Sequence, residues 1–233
     1  GFLFGKNPAK AGFLGGQRRS EGPLSSKLRC MIARVQYGSA NSRKESMSYY
    51  AHSDPTGKLP EAGGRWHPLS THLLEVARLA RQFAANVRPH DSIFAESAYW
   101  AGLLHDLGKY QQAFQDYLKK KRGSWPHAPV GAAKGCSFGQ AHAFAPAGHH
   151  AGLPSHGSLK AMREKWDSIA DQIWETACSD CPALKRGEPP QLPSDIAGNP
   201  LLADVWIRML FSCLVDADWC DTNAWEMGRY PYR

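Results

Sequence analysis

The sequence predicts an all-α fold, and three observations carry that prediction. Apolar residues recur at threes and fours over long stretches, nothing reads as paired strands, and Pro, Gly and Asp fall where helices start and stop. The first helix is expected from Pro68 to Val87, where Leu69, His72, Leu73, Val76, Leu79, Ala80 and Phe83 form one apolar face. Pro68 suits a first turn and Pro89 marks the end. Asp91 or Ser92 can cap a second helix through Phe94, Ala98, Ala101 and His105 to Gly108. A third amphipathic segment, Tyr110 to about Leu118, ends in the basic run Lys119–Arg122. Two later helices are expected over Leu159–Thr176 and Leu201–Trp219, separated by a Pro-rich loop from Pro182 to Pro193. No internal repeat is apparent.

Composition bounds what such a chain can do. Its 233 residues are 42% hydrophobic and 21% charged, enough apolar material for a core, which excludes disorder along the whole chain. No run approaches the roughly 18 apolar residues a membrane span needs, and GFLFGK is too short for a secretory signal. A soluble, cytoplasmic protein is expected. Residues 1–46 hold nine Lys/Arg against two acids, so the entire formal excess of +7 lies there and the remainder is balanced. That Gly/Ser-rich basic stretch reads as an extension, either an upstream leader or an arm that touches nucleic acid, with the folded domain at 47–233. Six cysteines without an export signal point to reduced thiols. Cys178 and Cys181 have the spacing of half a zinc knuckle, but no second CxxC accompanies them.

The chemistry gathers around histidine. All ten lie between His52 and His156. His105-Asp106 falls late in the expected second helix, where adjacent residues about 100° apart can converge on one ion. His72, on the apolar face of its helix, is either a hydrogen-bonded core histidine or a ligand. His149-His150 is a second adjacent pair, and His127 precedes the small-residue segment APVGAA. Asp216 and Asp218 lie among apolar residues in LVDADW, where a cation would offset the cost of burying carboxylates.

The order H…HD…D, with YYAHS (49–53), HPLSTHLLEVARLA (67–80), AGLLHDLGKYQQAFQDYL (101–118), HAPVGAA (127–133), GHHAGLP (148–154) and LVDADWCDT (214–222), resembles the HD metal-dependent phosphohydrolase superfamily. Within it, these motifs look like the HD nuclease of type I CRISPR interference, and they cover residues 47–222. The resemblance implies an HD-domain helical fold with two metal ions in its core. His72, His105, Asp106 and Asp218 would hold one ion; Asp106, His127, His149 and His150 would hold the other, with Asp106 shared. Asp218 matches the family's last Asp, leaving Asp216 beside it. Lys109 would contact a phosphate, and His52 and Ser53 would line the site. His67, His90, His142 and His156 match no role and read as solvent-facing or structural.

These residue types suit phosphodiester hydrolysis. A bound divalent ion lowers the pKa of its water, and two ions about 3.5–4 Å apart can clamp the nucleophile and leaving oxygens. Five imidazoles with two carboxylates favour Fe, Mn, Co or Ni over Mg. The resemblance implies single-stranded DNA as substrate, with a superfamily 2 helicase and an RNA-guided surveillance complex as partners. Lys119–Arg122 could track a DNA backbone, and Trp66, Trp100, Trp125 and Tyr110 could stack on bases. There is no GxxxxGK[ST], so unwinding falls to the helicase, as a separate subunit or joined beyond Arg233. Two other readings stay open: an HD phosphohydrolase of nucleotides or cyclic nucleotides, and a non-catalytic metal-bearing adaptor.

Overall fold

In the computed structural model, which describes residues 48–229, the apolar stripe beginning at Leu69 becomes α1 (Leu69–Val87). The expected extension at 1–46, Cys30 and Met47 lie outside the described residues. Pro68 stands just before the first turn with extended backbone, and Leu69, Leu73, Val76, Ala77, Ala80 and Ala84 are buried. The central element is α2 (Ser92–Leu104), which packs on α1 and on three later helices. Its N-terminus is closed by Asp91, whose carboxylate accepts the Phe94 N–H at 2.8 Å. Because neighbours cover it on several sides, α2 is apolar nearly all round.

The remaining helices are α3 (Gln112–Leu118), α4 (Ala128–Phe138), α5 (Ala141–Gly148), α6 (His156–Asp180), α7 (Ser194–Ala197) and α8 (Pro200–Glu226). The described residues are thus all-α in class, with α1, α2 and α8 on one side and α4, α5 and α6 on the other. One core cluster gathers Leu69, Leu73, Leu103, Leu104 and Leu184; the other gathers Val76, Phe94, Trp206, Leu210 and Leu214. No helix among the described residues is long and apolar enough to cross a membrane.

Several expectations need correction. The second helix stops at Leu104, not Gly108, and a 3₁₀ turn over Leu107–Tyr110 follows. The reason is tertiary: a Cβ on Gly108 would lie 2.2 Å from the His127 carbonyl oxygen, so this turn packs backbone to backbone against the start of α4. Helices α4 and α5 were not expected. They are small and apolar and covered by α2, α6 and α8, so no polar face gives them a period. Strands do occur: β1 (Tyr50–His52) pairs antiparallel with β2 (His67–Pro68), setting His52 opposite His67. Two such short strands leave no alternation to read. Gln115 pins β1, accepting the Tyr50 N–H at 3.0 Å while donating to the Tyr50 and Lys109 carbonyls. The Pro-rich loop contains a 3₁₀ turn at Pro182–Lys185.

Candidate metal centre

The helix ends described above converge on one carboxylate. Asp106, just past α2, is 1% exposed and its two oxygens face different histidines. Oδ2 lies 3.1 Å from His72 Nε2 and 3.4 Å from His105 Nε2. Oδ1 lies 3.2 Å from His127 Nε2 and 3.5 Å from His149 Nε2. His150 Nε2 meets His127 Nε2 at 2.9 Å, and Asp218 Oδ1 lies 3.4 Å from His72 Nε2. All seven residues singled out as ligands therefore meet around Asp106. Four sets among the described residues have donor atoms within 4.8 Å of one another: His72, His105 and Asp106; His105, His149 and Asp218; Asp106, His127, His149 and His150; and, to one side, His52, His67 and His72.

The orientation of the rings shows what these histidines are arranged to do. His72 Nδ1 donates to Asp221 Oδ2, His105 Nδ1 to the Gly102 carbonyl and His149 Nδ1 to the Pro146 carbonyl, each at 2.7 Å. Those oxygens can only accept, so each Nδ1 carries a hydrogen, and for a neutral ring the Nε2 lone pair faces the centre. Pairing the far nitrogen with an oxygen is how proteins fix metal-binding imidazoles. Asp106 Oδ1 and His149 Nε2 are buried with no hydrogen-bond partner among the described residues. Buried polar atoms without partners are costly, so a cation between them fits the donor set.

Charge in the centre is strongly coupled. Burial would raise the Asp106 pKa, but Lys109, His105 and His127 hold it well below the usual carboxylate range. Burial would likewise lower His105, yet Asp106 and Asp218 push it up to about 10. His72 is raised against burial by Asp106 and Asp221. In contrast, burial lowers His149, and burial with the His149 charge lowers His150 to about 4.

Other candidates are placed differently. Lys109 is 5% exposed, its ammonium 2.5 Å from Asp106 Oδ2 and 3.2 Å from the Ala51 carbonyl. Its ammonium is thus turned inward, toward the carboxylate at the middle of the centre. Asp216 is exposed and belongs to none of the ligand sets, because on α8 it points about 200° away from Asp218. His52 and Ser53 line a cavity beside the centre. His90 and His156 are exposed, whereas His142 is buried and bonded to the Pro190 carbonyl. Trp66, Trp100 and Tyr110 are buried, leaving only Trp125 of the proposed stacking residues partly open. Cys178 and Cys181 lie in the core with thiol pKa values raised by burial, Cys181 to about 11.

One residue of this environment, Asp221, escaped the sequence reading, and another, His67, reads there only as solvent-facing or structural. Asp221, fully buried, orients His72. His67, also fully buried, stacks on Trp225 at 4.5 Å and lies 3.7 Å from Asp221. The available signal for Asp221 was its spacing, one helical turn beyond Asp218 on α8.

Compared with families of known proteins, residues 69–177 match the HD domain. No curated protein matches the chain by sequence.

Proposed function

From an HD domain over residues 69–177, a type of domain that binds divalent metals and implies a metal-dependent phosphohydrolase, we propose that the chain is a nuclease hydrolysing phosphodiester bonds of single-stranded DNA. The observation that carries this reading is the division of Asp106, with one oxygen toward His72 and His105 and the other toward His127 and His149. Such a carboxylate suits two neighbouring ions, and the motifs HDLGK, HAPVGAA and GHHAGLP supply the rest of the resemblance to the HD nuclease of type I CRISPR interference. Bound there, the ions would supply an activated water and neutralise charge developing on the phosphoryl oxygens. The protein's own part is positional. Asp221, Gly102 and Pro146 hold three imidazoles in one tautomer, Lys109 keeps Asp106 ionised, and buried packing fixes their geometry. Fe, Mn, Co or Ni fits this imidazole-rich set better than Mg. A superfamily 2 helicase and an RNA-guided surveillance complex would deliver the strand, in the cytoplasm, to the folded domain at 47–233.

The test is to reconstitute the protein with Mn(II) or Ni(II) and offer circular single-stranded DNA beside a panel of nucleotides and cyclic nucleotides. Cleavage of the circle is expected. Turnover of the nucleotides alone would replace this reading with a nucleotide phosphohydrolase, and no turnover at full metal occupancy would leave an adaptor.

A further inference from the structure

A cavity of about 460 Å³ adjoins the metal centre, lined by His52, Ser53, Thr56, Gly57, Lys119 and Lys120 among others. Its volume falls within the range of ligand sites, roughly 300–1,000 Å³. It shares a wall with the centre. The His52 ring lies 5.0 Å from that of His72, and His52 Nε2 is 3.3 Å from Thr222 Oγ1, which is itself 3.4 Å from Asp218 Oδ1.

Two lysines and two acids share the wall, but no ion pair joins them. Asp54 on the wall is already engaged by the Thr56 N–H and hydroxyl and by the Arg65 N–H. Lys119 and Lys120 make no ion pair among the described residues. Glu226 also borders the cavity, from the C-terminal end of α8, so an anion is favoured at the lysine end and not along the whole length.

The backbone points to the same lysine. Helix α3 ends with the Lys121 N–H bonded to the Asp116 carbonyl and the Lys120 N–H to the Tyr117 carbonyl, each at 2.9 Å. In that motif the residue at the Lys120 position takes a left-handed conformation, which normally selects glycine. Lys120 has φ +58, and no other non-glycine described residue has a positive φ. Its ammonium lies against Gly57, 3.7 Å from where a Cβ would stand, and φ +79 at Gly57 favours the bare backbone there. Local stability would thus be served by glycine at 120, while the ammonium overhangs the cavity.

We propose that this cavity is a phosphate subsite for a nucleotide flanking the scissile one, with Lys120 as its principal cation. The proposal rests on the nuclease reading for its substrate, a polynucleotide strand. Its test does not require cleavage. Lys120→Gly removes the cation and relieves the left-handed strain, so the full chain should keep or raise its Tm. Without metal, its affinity for a single-stranded oligonucleotide should fall about tenfold, and the slope of log affinity against log salt should shrink by about 0.7, one contact on a single strand. In the Mn(II)-loaded protein, kcat/KM should fall for the oligonucleotide and stay unchanged for bis(p-nitrophenyl) phosphate, which is too small to span both places. An unchanged salt slope, or equal losses on both substrates, overturns the subsite. Failure of the wild-type protein to cut the oligonucleotide would instead overturn the nuclease reading, with the salt slope still deciding whether a strand binds here.

Discussion

The two halves of the Asp106 centre are built from different parts. Toward Oδ2 stand His72 and His105, both fully buried, with Asp218 and Asp221 adding carboxylates from the long helix α8. Toward Oδ1 stand His127, His149 and His150, imidazoles without a second acid, carried at the starts and ends of the short helices α4 and α5. His150 is exposed and His127 partly so. The charges follow: acids raise the pKa values of His72 and His105, while burial lowers those of His149 and His150. Charge and burial would make the first half the tighter holder of a cation. Solvent access at His150 and His127 would make the second the more exchangeable one.

Asp106 is common to both halves, so its loss should have the largest effect. Asp106→Ala should abolish hydrolysis and reduce bound metal to near zero by elemental analysis. It also strands the buried Lys109 ammonium without its partner, so a destabilisation of about 3–5 kcal/mol is expected in thermal or urea unfolding. Asp106→Asn, which keeps the shape, separates the two effects and should remain inactive. Activity in either variant would contradict a shared ligand and erase the comparison between halves.

How far the sequence disclosed each half follows from the same architecture. Helix α1 was legible because one face is buried and the other solvated, and its end at Val87 agrees with the pattern. The dyad was legible as residue types, but its local structure was not. Asp106 leaves the helical conformation (φ −106, ψ 15) because Gly108 must approach the His127 backbone, a contact between segments some 20 residues apart that periodicity does not register. Helices α4 and α5, which carry the second half, lacked a polar face, and Pro146 inside α5 argued against a helix. GHHAGLP identified His149 and His150 by their text alone. Asp221 carries no signal of its own in LVDADWCDT, where it follows a Cys and precedes a Thr instead of lying among apolar residues. Only the helical turn separating 218 from 221 shows that Asp221 shares the buried face and Asp216 does not.

Ligands belonging to one half sharpen the contrast next. Asp218→Ala and His150→Ala should each lower metal content from two ions per chain to one, and each should reduce activity by at least 100-fold. They should differ in stability. Adding metal should raise the Tm of His150→Ala nearly as far as that of wild type, because the buried holder persists; Asp218→Ala should gain little. Equal thermal responses would mean that the halves bind alike. One step further out, Asp221→Asn keeps an acceptor for His72 Nδ1 but removes the charge, and should weaken the tighter ion by about 10- to 100-fold in chelator competition. The more weakly held ion should dissociate from that variant as it does from wild type.

The smallest effect should come from Cys178 and Cys181, a pair spaced like metal ligands but built into the core. Both thiols pack in the cluster with Leu69, Leu73 and Leu104, burial raises their pKa values, and neither joins a ligand set among the described residues. A thiol held protonated is a poor ligand, because binding requires the thiolate. Replacing both with alanine removes two buried sulfur atoms and leaves small cavities, costing on the order of 1–2 kcal/mol, or about 2–8 °C in Tm for a chain this size. Metal content and cleavage should be unchanged. Loss of an ion in the double variant would place a third holder outside the Asp106 centre, and the division of labour between its halves would no longer account for all the bound metal.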